Sequence, residues 1–302
     1  MDLDFVRIEC EVTADIPVQL TAALYGVLRS FTAHFKAACC PDPLETCTSC
    51  RERGGCPFHL LFGQELSSDP ETVRLHQKPS LPFSLYISGI DGNSSSVTVG
   101  MSVIGIAVNY ITFFHTALLR VVEAGVGTLL PAAKYTLRCY SLDYQSVRQE
   151  IKSAVSLPES IILLSGEHVL QNTVHSGTIT LHLKSPLRLL NSGSIAHRFD
   201  FGMFFCSQLR RCSSLCAYYG AGELDLDFAG LSKAAQDVAV LEDKTNYTQP
   251  PWSKRPNNAG VTGTAECAGL LEPMHSLLIL GSYFNAGKGA TFGSGFYQIE
   301  GH

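Results

Sequence analysis

The chain has 302 residues, of which 45% are hydrophobic, so it is long and apolar enough for one large domain or two of ordinary size. Its formal net charge of −5 excludes a protein that is coated uniformly with positive charge, such as a nonspecific nucleic-acid packager. A basic groove on an acidic body remains compatible with this composition, provided that the 22 lysines and arginines are concentrated locally.

The sequence gives no indication of a membrane span or a leader. The most apolar stretch, residues 97–111, contains Gly and Asn and is shorter than the roughly 20 residues that a spanning helix needs. The N-terminus, MDLDFVRIEC, is acidic and lacks the basic-then-apolar layout of a signal peptide. We therefore expect a cytoplasmic protein without membrane contact, whose 11 cysteines are mostly reduced thiols.

The first half predicts the element order β-α-β-β-α-β. Residues 5–13 alternate between polar and apolar side chains, which is typical of a strand. Residues 18–38 carry apolar side chains at three- and four-residue steps, which indicates a helix. A strand, a strand, a helix and a strand follow at residues 83–87, 97–104, 109–124 and 134–142. This order is that of a ferredoxin-like module, the topology of the common single-stranded RNA-binding fold.

The second half repeats the order less regularly. Its predicted elements are a strand at 177–183, helices at 200–219 and 225–241, an irregular stretch at 246–260, a strand at 261–268, a helix at 273–280 and a strand at 292–299. The sequence therefore predicts an α+β protein of two tandem ferredoxin-like, RRM-like βαββαβ modules, residues 1–145 and residues 157–302.

A cysteine-rich insertion, residues 39–63, interrupts the first module. The pair Cys47-x-x-Cys50, flanked by Cys40 and Cys56, has a spacing that could hold a structural zinc ion. The intervals are irregular and only one such pair is present, so a cysteine-rich loop without metal is the alternative.

A glycine-rich loop, residues 281–295, lies between a short apolar helix and the last predicted strand. Glycine permits positive φ and lets a backbone approach a phosphate closely, and Lys288 adds a cation in the same loop. The loop residues that we predict to bind RNA are Gly287, Lys288, Gly289, Gly293 and Gly295.

Several ordered segments resemble the CRISPR repeat-processing endoribonucleases of the RAMP superfamily. They are LRRCSSLCAYYGAGELDLDFAGL at 209–231, the loop around Trp252, GLLEPMHSLLILG at 269–281, AGKGATFGSGFY at 286–297, CPFHLLFG at 56–63 and SPLRLL at 185–190. The chain departs from the pattern at Asn285 and Ala286, where relatives often carry a His before the Gly-Lys pair, and in having only Lys254 and Arg255 after the tryptophan. It resembles a diverged member of the family.

The resemblance implies recognition of a repeat hairpin and metal-independent cleavage by a ribose 2′-OH, leaving a 2′,3′-cyclic phosphate, with no cofactor required. Such a reaction needs a base, a cation and an acid, and histidine suits both proton transfers. His34 is the first catalytic candidate, because relatives commonly place a catalytic His in or just after the first helix. Its neighbours in sequence, Tyr25, Arg29 and Lys36, are the further catalytic candidates. The alternatives are a solvent-facing His34, catalysis by His59 or His197, and a site of Lys and Arg alone, while His275 on its apolar helix is expected to be a packed residue.

Four cations outside the loop complete the predicted RNA-binding set: Arg210, Arg211, Lys254 and Arg255. The expected function is cleavage of precursor crRNA at its repeat hairpin, with the product retained in an effector complex with other CRISPR subunits. Two alternatives stay open. One is a catalytically silent crRNA-binding subunit, and the other is a subunit whose main role is contact with other proteins.

Overall fold

The computed structural model has two large antiparallel sheets with helices packed on them and a separate two-stranded hairpin. The residues that it describes are 3–14, 17–42, 47, 50, 52–89, 96–129, 135–152, 157–191, 193–249 and 258–300.

The first sheet belongs to the N-terminal module, and its strands run in the order β2-β3-β1-β4-β5, with β6 paired to the start of β1. The strands are β1 (Asp4–Thr13), β2 (Phe83–Ser88), β3 (Ser96–Ile104), β4 (Thr136–Leu142), β5 (Arg148–Ile151) and β6 (Leu163–Ser165). The helices are α1 (Pro17–Val27), α2 (Phe31–Cys39), α3 (Pro57–Phe62), α4 (Pro70–Leu75), α5 (Ile111–Leu129), α6 (Leu157–Ser160) and α7 (Gly166–Gln171). Short 3-10 helices occupy Leu28–Ser30, Arg53–Gly55 and Gly105–Tyr110.

The second sheet has the order β10-β11-β7-β12. Its module contains the strands β7 (Thr178–Leu187), β8 (Leu190–Asn191), β9 (Ser194–Ile195), β10 (Ala239–Thr248), β11 (Gly260–Ala268) and β12 (Tyr297–Ile299). The helices are α8 (Phe201–Tyr219), α9 (Phe228–Ala234) and α10 (Glu272–Ser282). In the first sheet β1 lies between β3 and β4, and in the second sheet β7 lies between β11 and β12. The first long strand of each module is therefore central, as in the ferredoxin-like arrangement. The predicted α+β fold with two such modules is confirmed, although short extra elements interrupt each module.

The helix that the sequence predicts at 18–38 is divided in two. The 3-10 turn Leu28–Ser30 separates α1 from α2, and the Ser30 hydroxyl donates to the carbonyl of Val27 at 2.6 Å. A serine that bonds back to its own helix in this way often bends it. The turn leaves Arg29 exposed, while Leu28 and Phe31 on either side are buried.

Two other predicted elements are wrong. The helix expected at 225–241 is limited to α9, because residues 239–248 form the strand β10, which pairs with β11 along its length. The last strand, expected at 292–299, is only β12, because the residues before it belong to the glycine-rich loop. Strands β5 and β6 also extend the first sheet to Ser165, beyond the end of the N-terminal module that the sequence predicts at residue 145.

The core of the N-terminal module lies between its sheet and the helices α1, α2 and α5. Phe31, Phe35 and Phe114 are fully buried there, with ring centroids 4.7–6.4 Å apart. Gly105–Gly127 is long and apolar enough by length and composition to cross a membrane, and it includes most of α5, whose apolar face packs in this core. A buried core helix passes the same test, so the absence of membrane contact stays a prediction.

One cysteine pair departs from the expected thiols. Cys10 on β1 and Cys139 on β4 are directly opposite each other in the sheet and form a disulfide. Register explains the pairing, because directly opposed residues on adjacent strands bring their β-carbons within reach of each other. The other nine cysteines are free thiols, as expected.

Candidate RNA-cleavage site

The glycine-rich loop joins the two modules. It lies against β2 of the first sheet, where the Leu85 amide donates to the carbonyl of Thr291 at 3.0 Å. The Asn285 side-chain amide donates to the carbonyls of Leu85 at 2.7 Å and Ala290 at 2.8 Å. Asn285 is only 1% exposed and has a φ of +58°, which asparagine tolerates better than most residues. Asn285 therefore fixes the loop from inside the protein instead of facing RNA.

The tip of the loop meets the end of the first helix. Gly293 has a φ of +90°, and a Cβ at this position would lie 2.8 Å from Cδ1 of Leu28 and 3.5 Å from a ring carbon of Tyr25. Only glycine fits both the conformation and the space. The contact brings the Tyr25–Arg29 segment of the N-terminal module against the loop of the C-terminal module.

Arg188 completes this junction from a third element. It follows the end of β7, and its carbonyl accepts a hydrogen bond from the Lys288 amide at 2.8 Å. A Cβ on Gly287 would lie 2.7 Å from the same carbonyl, so glycine is required for this approach. The Arg188 Nη1 reaches to 3.9 Å from the position that a Cβ would take on Gly289. The guanidinium of Arg188 thus lies beneath the glycine-rich loop.

The Arg188 guanidinium is buried without a compensating charge. The residue is 5% exposed, its Nε has no hydrogen-bond partner, and none of the acidic side chains that the structure describes forms an ion pair with it. Burial, followed by the positive charge of Arg29, lowers the pKa of Arg188. Arginine nevertheless stays protonated in proteins. A buried cation of this kind is costly unless an anion joins it, so the position is suited to a phosphate.

A cavity of about 510 Å³ opens beside this guanidinium. Arg188, Lys288 and Arg210 supply its positive charge, and Ser207 and Gly287 contribute polar atoms to its wall. Its volume lies in the usual range for ligand sites. With two further arginines or lysines around one buried arginine, the cavity matches the chemistry of a phosphodiester.

The structure brings together two of the four predicted catalytic residues at the loop. Tyr25 packs beside Gly293, and burial raises the pKa of its hydroxyl, so the group stays protonated at neutral pH. Arg29 is exposed in the 3-10 turn and close enough to Arg188 for its charge to act on that residue. His34 and Lys36 lie further along, on α2, and both are partly exposed. The Lys36 ammonium lies 5.8 Å from the ring centroid of Phe58.

The predicted RNA-binding residues separate into three groups. Arg210 and Lys288 are exposed and line the cavity, and Gly287, Gly289, Gly293 and Gly295 all have positive φ. Arg211 instead makes internal contacts, donating to the carbonyls of Phe284 at 2.7 Å and Phe83 at 3.2 Å, and burial lowers its pKa to about 10. These contacts tie the two modules together. Lys254 and Arg255 lie outside the described residues.

The described residues do not form a zinc site from the four predicted cysteine ligands. Among the described residues, no group of three or more His, Cys, Asp or Glu side chains is arranged to hold a metal ion. Cys40, Cys47, Cys50 and Cys56 are all partly exposed free thiols, and some of the residues between them lie outside the described ranges. Structural zinc therefore stays a prediction.

Sequence reasoning missed Arg188, although the residue stands within the SPLRLL segment. The available signal was its position: an arginine directly after a strand that begins a ferredoxin-like module, ahead of a distant glycine-rich loop. Its burial and its lack of an acidic partner could not be read from the sequence.

Family models match both modules of the chain. The family model of the CRISPR-associated endoribonuclease Cas6 matches residues 181–297, which include β7, Arg188 and the glycine-rich loop. A second family model, the N-terminal domain AF_1859_N, matches residues 3–161, just over half of the chain. No curated protein sequence matches.

Solved structures share the fold over nearly the whole chain. Thermus thermophilus Cas6 (TTHB231) is 12% identical with a TM-score of 0.54, covering 99% of each chain. A substrate-mimic complex and a product complex of Cas6 (TTHA0078) have TM-scores of 0.51 and 0.50 at 12% identity, and each comparison covers 98% of this chain and 99% of that one. At such identity the likeness establishes the fold.

The fold and the family match over residues 181–297 support a Cas6-like CRISPR RNA-processing endoribonuclease. Its N-terminal half belongs to the AF_1859_N domain family. The Cas6 match in the C-terminal part of the chain confirms the resemblance found in the sequence.

Proposed function

We propose that this chain cleaves precursor crRNA at the base of its repeat hairpin, without a metal ion, and leaves a 2′,3′-cyclic phosphate. One observation carries the proposal. The buried and unpaired Arg188 lies where the glycine-rich loop meets the Tyr25–Arg29 segment, so protein cations are already assembled where a phosphate would be held.

The reaction is an internal transesterification. The ribose 2′-oxygen forms a bond to the adjacent phosphorus, and the bond from phosphorus to the 5′-oxygen of the next nucleotide breaks. A base takes the proton of the 2′-hydroxyl, and an acid gives a proton to the leaving 5′-oxygen. Negative charge develops on the non-bridging oxygens in the transition state, where fixed cations are most effective.

Arg188, Arg29 and Lys288 are the groups that we assign to this charge. Arg188 is prepositioned, because its burial and the backbone contacts around it hold the side chain in place before RNA binds. Arg29 and Lys288 are exposed and can approach from the two modules. Transfer of the protons is assigned to His34. Tyr25, whose hydroxyl is buried, is assigned to holding its segment against the loop at Gly293.

We further propose that the product stays bound and that the protein works in the cytoplasm together with other subunits of a CRISPR effector complex. The cavity supports retention of the product, because the groups that would hold the scissile phosphate remain charged after cleavage. The fit of Arg188 to a phosphate would be the same in a silent crRNA-binding subunit, so cleavage itself has to be measured.

The test is incubation of the purified chain with its genomically adjacent repeat RNA in EDTA, followed by sequencing-gel and end-group analysis. We expect a single cut at the hairpin base with a cyclic phosphate on the upstream fragment. A matched RNA with a 2′-deoxy nucleotide at the cleavage position should bind and remain intact, because it lacks the nucleophile. Tight binding of both RNAs without any cut would instead identify the silent subunit.

His34→Ala tests the assignment of proton transfer. We expect a loss of about 10²–10⁴-fold in the single-turnover rate with little change in RNA affinity. An unchanged rate would remove His34 from the mechanism and favour another histidine or a site of Lys and Arg alone. His168→Ala is the matched control, since His168 is an exposed residue of α7 that is not a catalytic candidate and packs against Tyr144 with ring centroids 4.5 Å apart.

A further inference from the structure

A stacked pair of aromatic rings lies next to Arg188. The ring centroids of His197 and Tyr247 are 4.1 Å apart and the ring planes differ by 26°. His197 follows the small hairpin formed by β8 and β9, which begins directly after Arg188 and Leu189. Tyr247 lies near the end of β10.

Strand register fixes Tyr247 at the same level of the second sheet as the end of β7. Tyr247 is opposite Val261, and Val261 is opposite Leu187, the residue before Arg188. At the next position on β11, a Cβ on Gly260 would lie 2.9 Å from the Arg188 Cγ. The aliphatic part of Arg188 therefore packs on the strand that separates it from Tyr247. The aromatic pair and the buried guanidinium are held by the same corner of the sheet.

Core packing does not account for this pair, because both rings face solvent. Tyr247 is 38% exposed, His197 is exposed, and so are most side chains of β10. An exposed aromatic stack beside a cationic cavity is the combination by which proteins hold a nucleotide, with stacking for the base and positive charge for the phosphate.

We propose that the His197–Tyr247 pair is a stacking platform for the nucleobase next to the phosphate that Arg188 holds. The inference rests on the proposed function, and it names the part of the RNA that this corner recognises: an unpaired nucleotide flanking the cleavage position. Every base has a π-face, so the platform holds the strand in register without selecting a particular base. Correct register places the 2′-hydroxyl in line with the scissile bond.

The experiment uses the full chain and a repeat RNA with a 2′-deoxy nucleotide at the cleavage position, so that binding is measured apart from cleavage. 2-Aminopurine replaces, one at a time, the nucleotides on either side of that position. Stacking on an aromatic ring quenches its fluorescence. We expect quenching at one flanking position, and its loss in His197→Ser and Tyr247→Ser together with an affinity that is weaker by about 5- to 100-fold.

His197→Phe and Tyr247→Phe supply the conservative pair, since phenylalanine retains a stacking face and lacks the ring nitrogens or the hydroxyl. Relative to the serine variants, we expect both to recover quenching and affinity. Tyr135→Ser is the matched control, because Tyr135 is a tyrosine of similar exposure, 39%, in the other module. Since the changed side chains are surface-exposed, thermal unfolding of each variant should follow the wild type.

Two outcomes overturn the platform. One is unchanged fluorescence and affinity in both serine variants. The other is a failure of both phenylalanine variants to recover quenching and affinity, which would assign the RNA contact to the ring nitrogens and the hydroxyl instead of the ring faces. Failure of the proposed function has a different signature: wild-type protein leaves unmodified repeat RNA uncut, while quenching of the deoxy RNA is still measurable.

Discussion

Replacing Arg188 with methionine should lower activity and raise stability. Methionine has a similar length and fills the space of the arginine stem, but it removes a charge that is 5% exposed and has no acidic partner in the described part of the chain. If Arg188 is held in place for a phosphate, the folded protein tolerates the cost of an unpaired buried cation until RNA arrives. A purely structural arginine would show the opposite sign in stability.

The magnitudes follow from the surroundings of the guanidinium. A buried donor without a partner costs about 1–3 kcal/mol. Removing it, together with its repulsion from Arg29, should stabilise the fold by about 1 kcal/mol or more, offset by any imperfect packing of the methionine. For a protein of about 200 residues, a stabilisation of about 1 kcal/mol raises the midpoint of thermal unfolding by about 2–4 °C. For this longer chain we expect a rise of about 2 °C. Loss of a preorganised charge contact to the transition state should slow cleavage about 10²–10³-fold.

The assay pairs single-turnover cleavage of repeat RNA with thermal unfolding of the free protein. Arg74→Met is the control, because Arg74 is exposed and pairs with Glu71 at 2.9 Å on α4, so both readings should stay near wild type. A parallel fall in stability and cleavage for Arg188→Met would refute the reasoning. Such a result would mean that the arginine stabilises the junction and that its loss disorganises the site.

Three further predictions concern the loop and the core. Asn285→Ala should destabilise the fold by about 2–4 kcal/mol, since two carbonyls lose their hydrogen-bond donor and alanine disfavours positive φ. Asn285→Gly should destabilise the fold less, because glycine adopts positive φ easily, and urea unfolding measures both variants. Gly293→Ala should destabilise by at least about 1–2 kcal/mol and slow cleavage, because its Cβ would meet Leu28, and equal urea midpoints for variant and wild type would contradict the contact. Burial lowers the pKa of His115 below its usual 6.5, so His115 binds a proton less readily in the folded state than in the unfolded state. The contribution of His115 to stability is therefore complete above pH 6.5 and is lost as the pH falls through the lowered pKa of the folded state. His115→Leu should flatten that decline between pH 7.5 and 5.5, and an unchanged slope would assign the decline to other groups.

Local patterns were sufficient for most of the fold. Helix α8 was expected at 200–219 and spans Phe201–Tyr219, because apolar side chains recur at helical spacing and the Asp200 carboxylate caps the first turn by accepting from the Met203 amide at 2.7 Å. Strands β1 and β11 were anticipated within a residue from their own residues in the same way. The order of these elements was enough to predict two ferredoxin-like modules.

Strand β10 shows where local pattern was insufficient. Its sequence, AVLEDKTNYT, has no clear period of two, and almost all of its side chains are exposed. What makes it a strand is backbone pairing with β11 from Ala239 to Thr248, a contact between distant segments that no local window contains.

The residues of the candidate site also fall into those that the sequence predicted and those that only the tertiary structure revealed. The sequence determined the glycine-rich loop, Lys288 and the segment that contains Tyr25 and Arg29, because glycine spacing and residue type carry that information locally. Tertiary structure alone decided that Arg211 ties the modules together and that Arg188 is buried without an acidic partner. Burial and pairing of a charge depend on which distant elements surround it, and that environment exists only once the two modules have packed against each other.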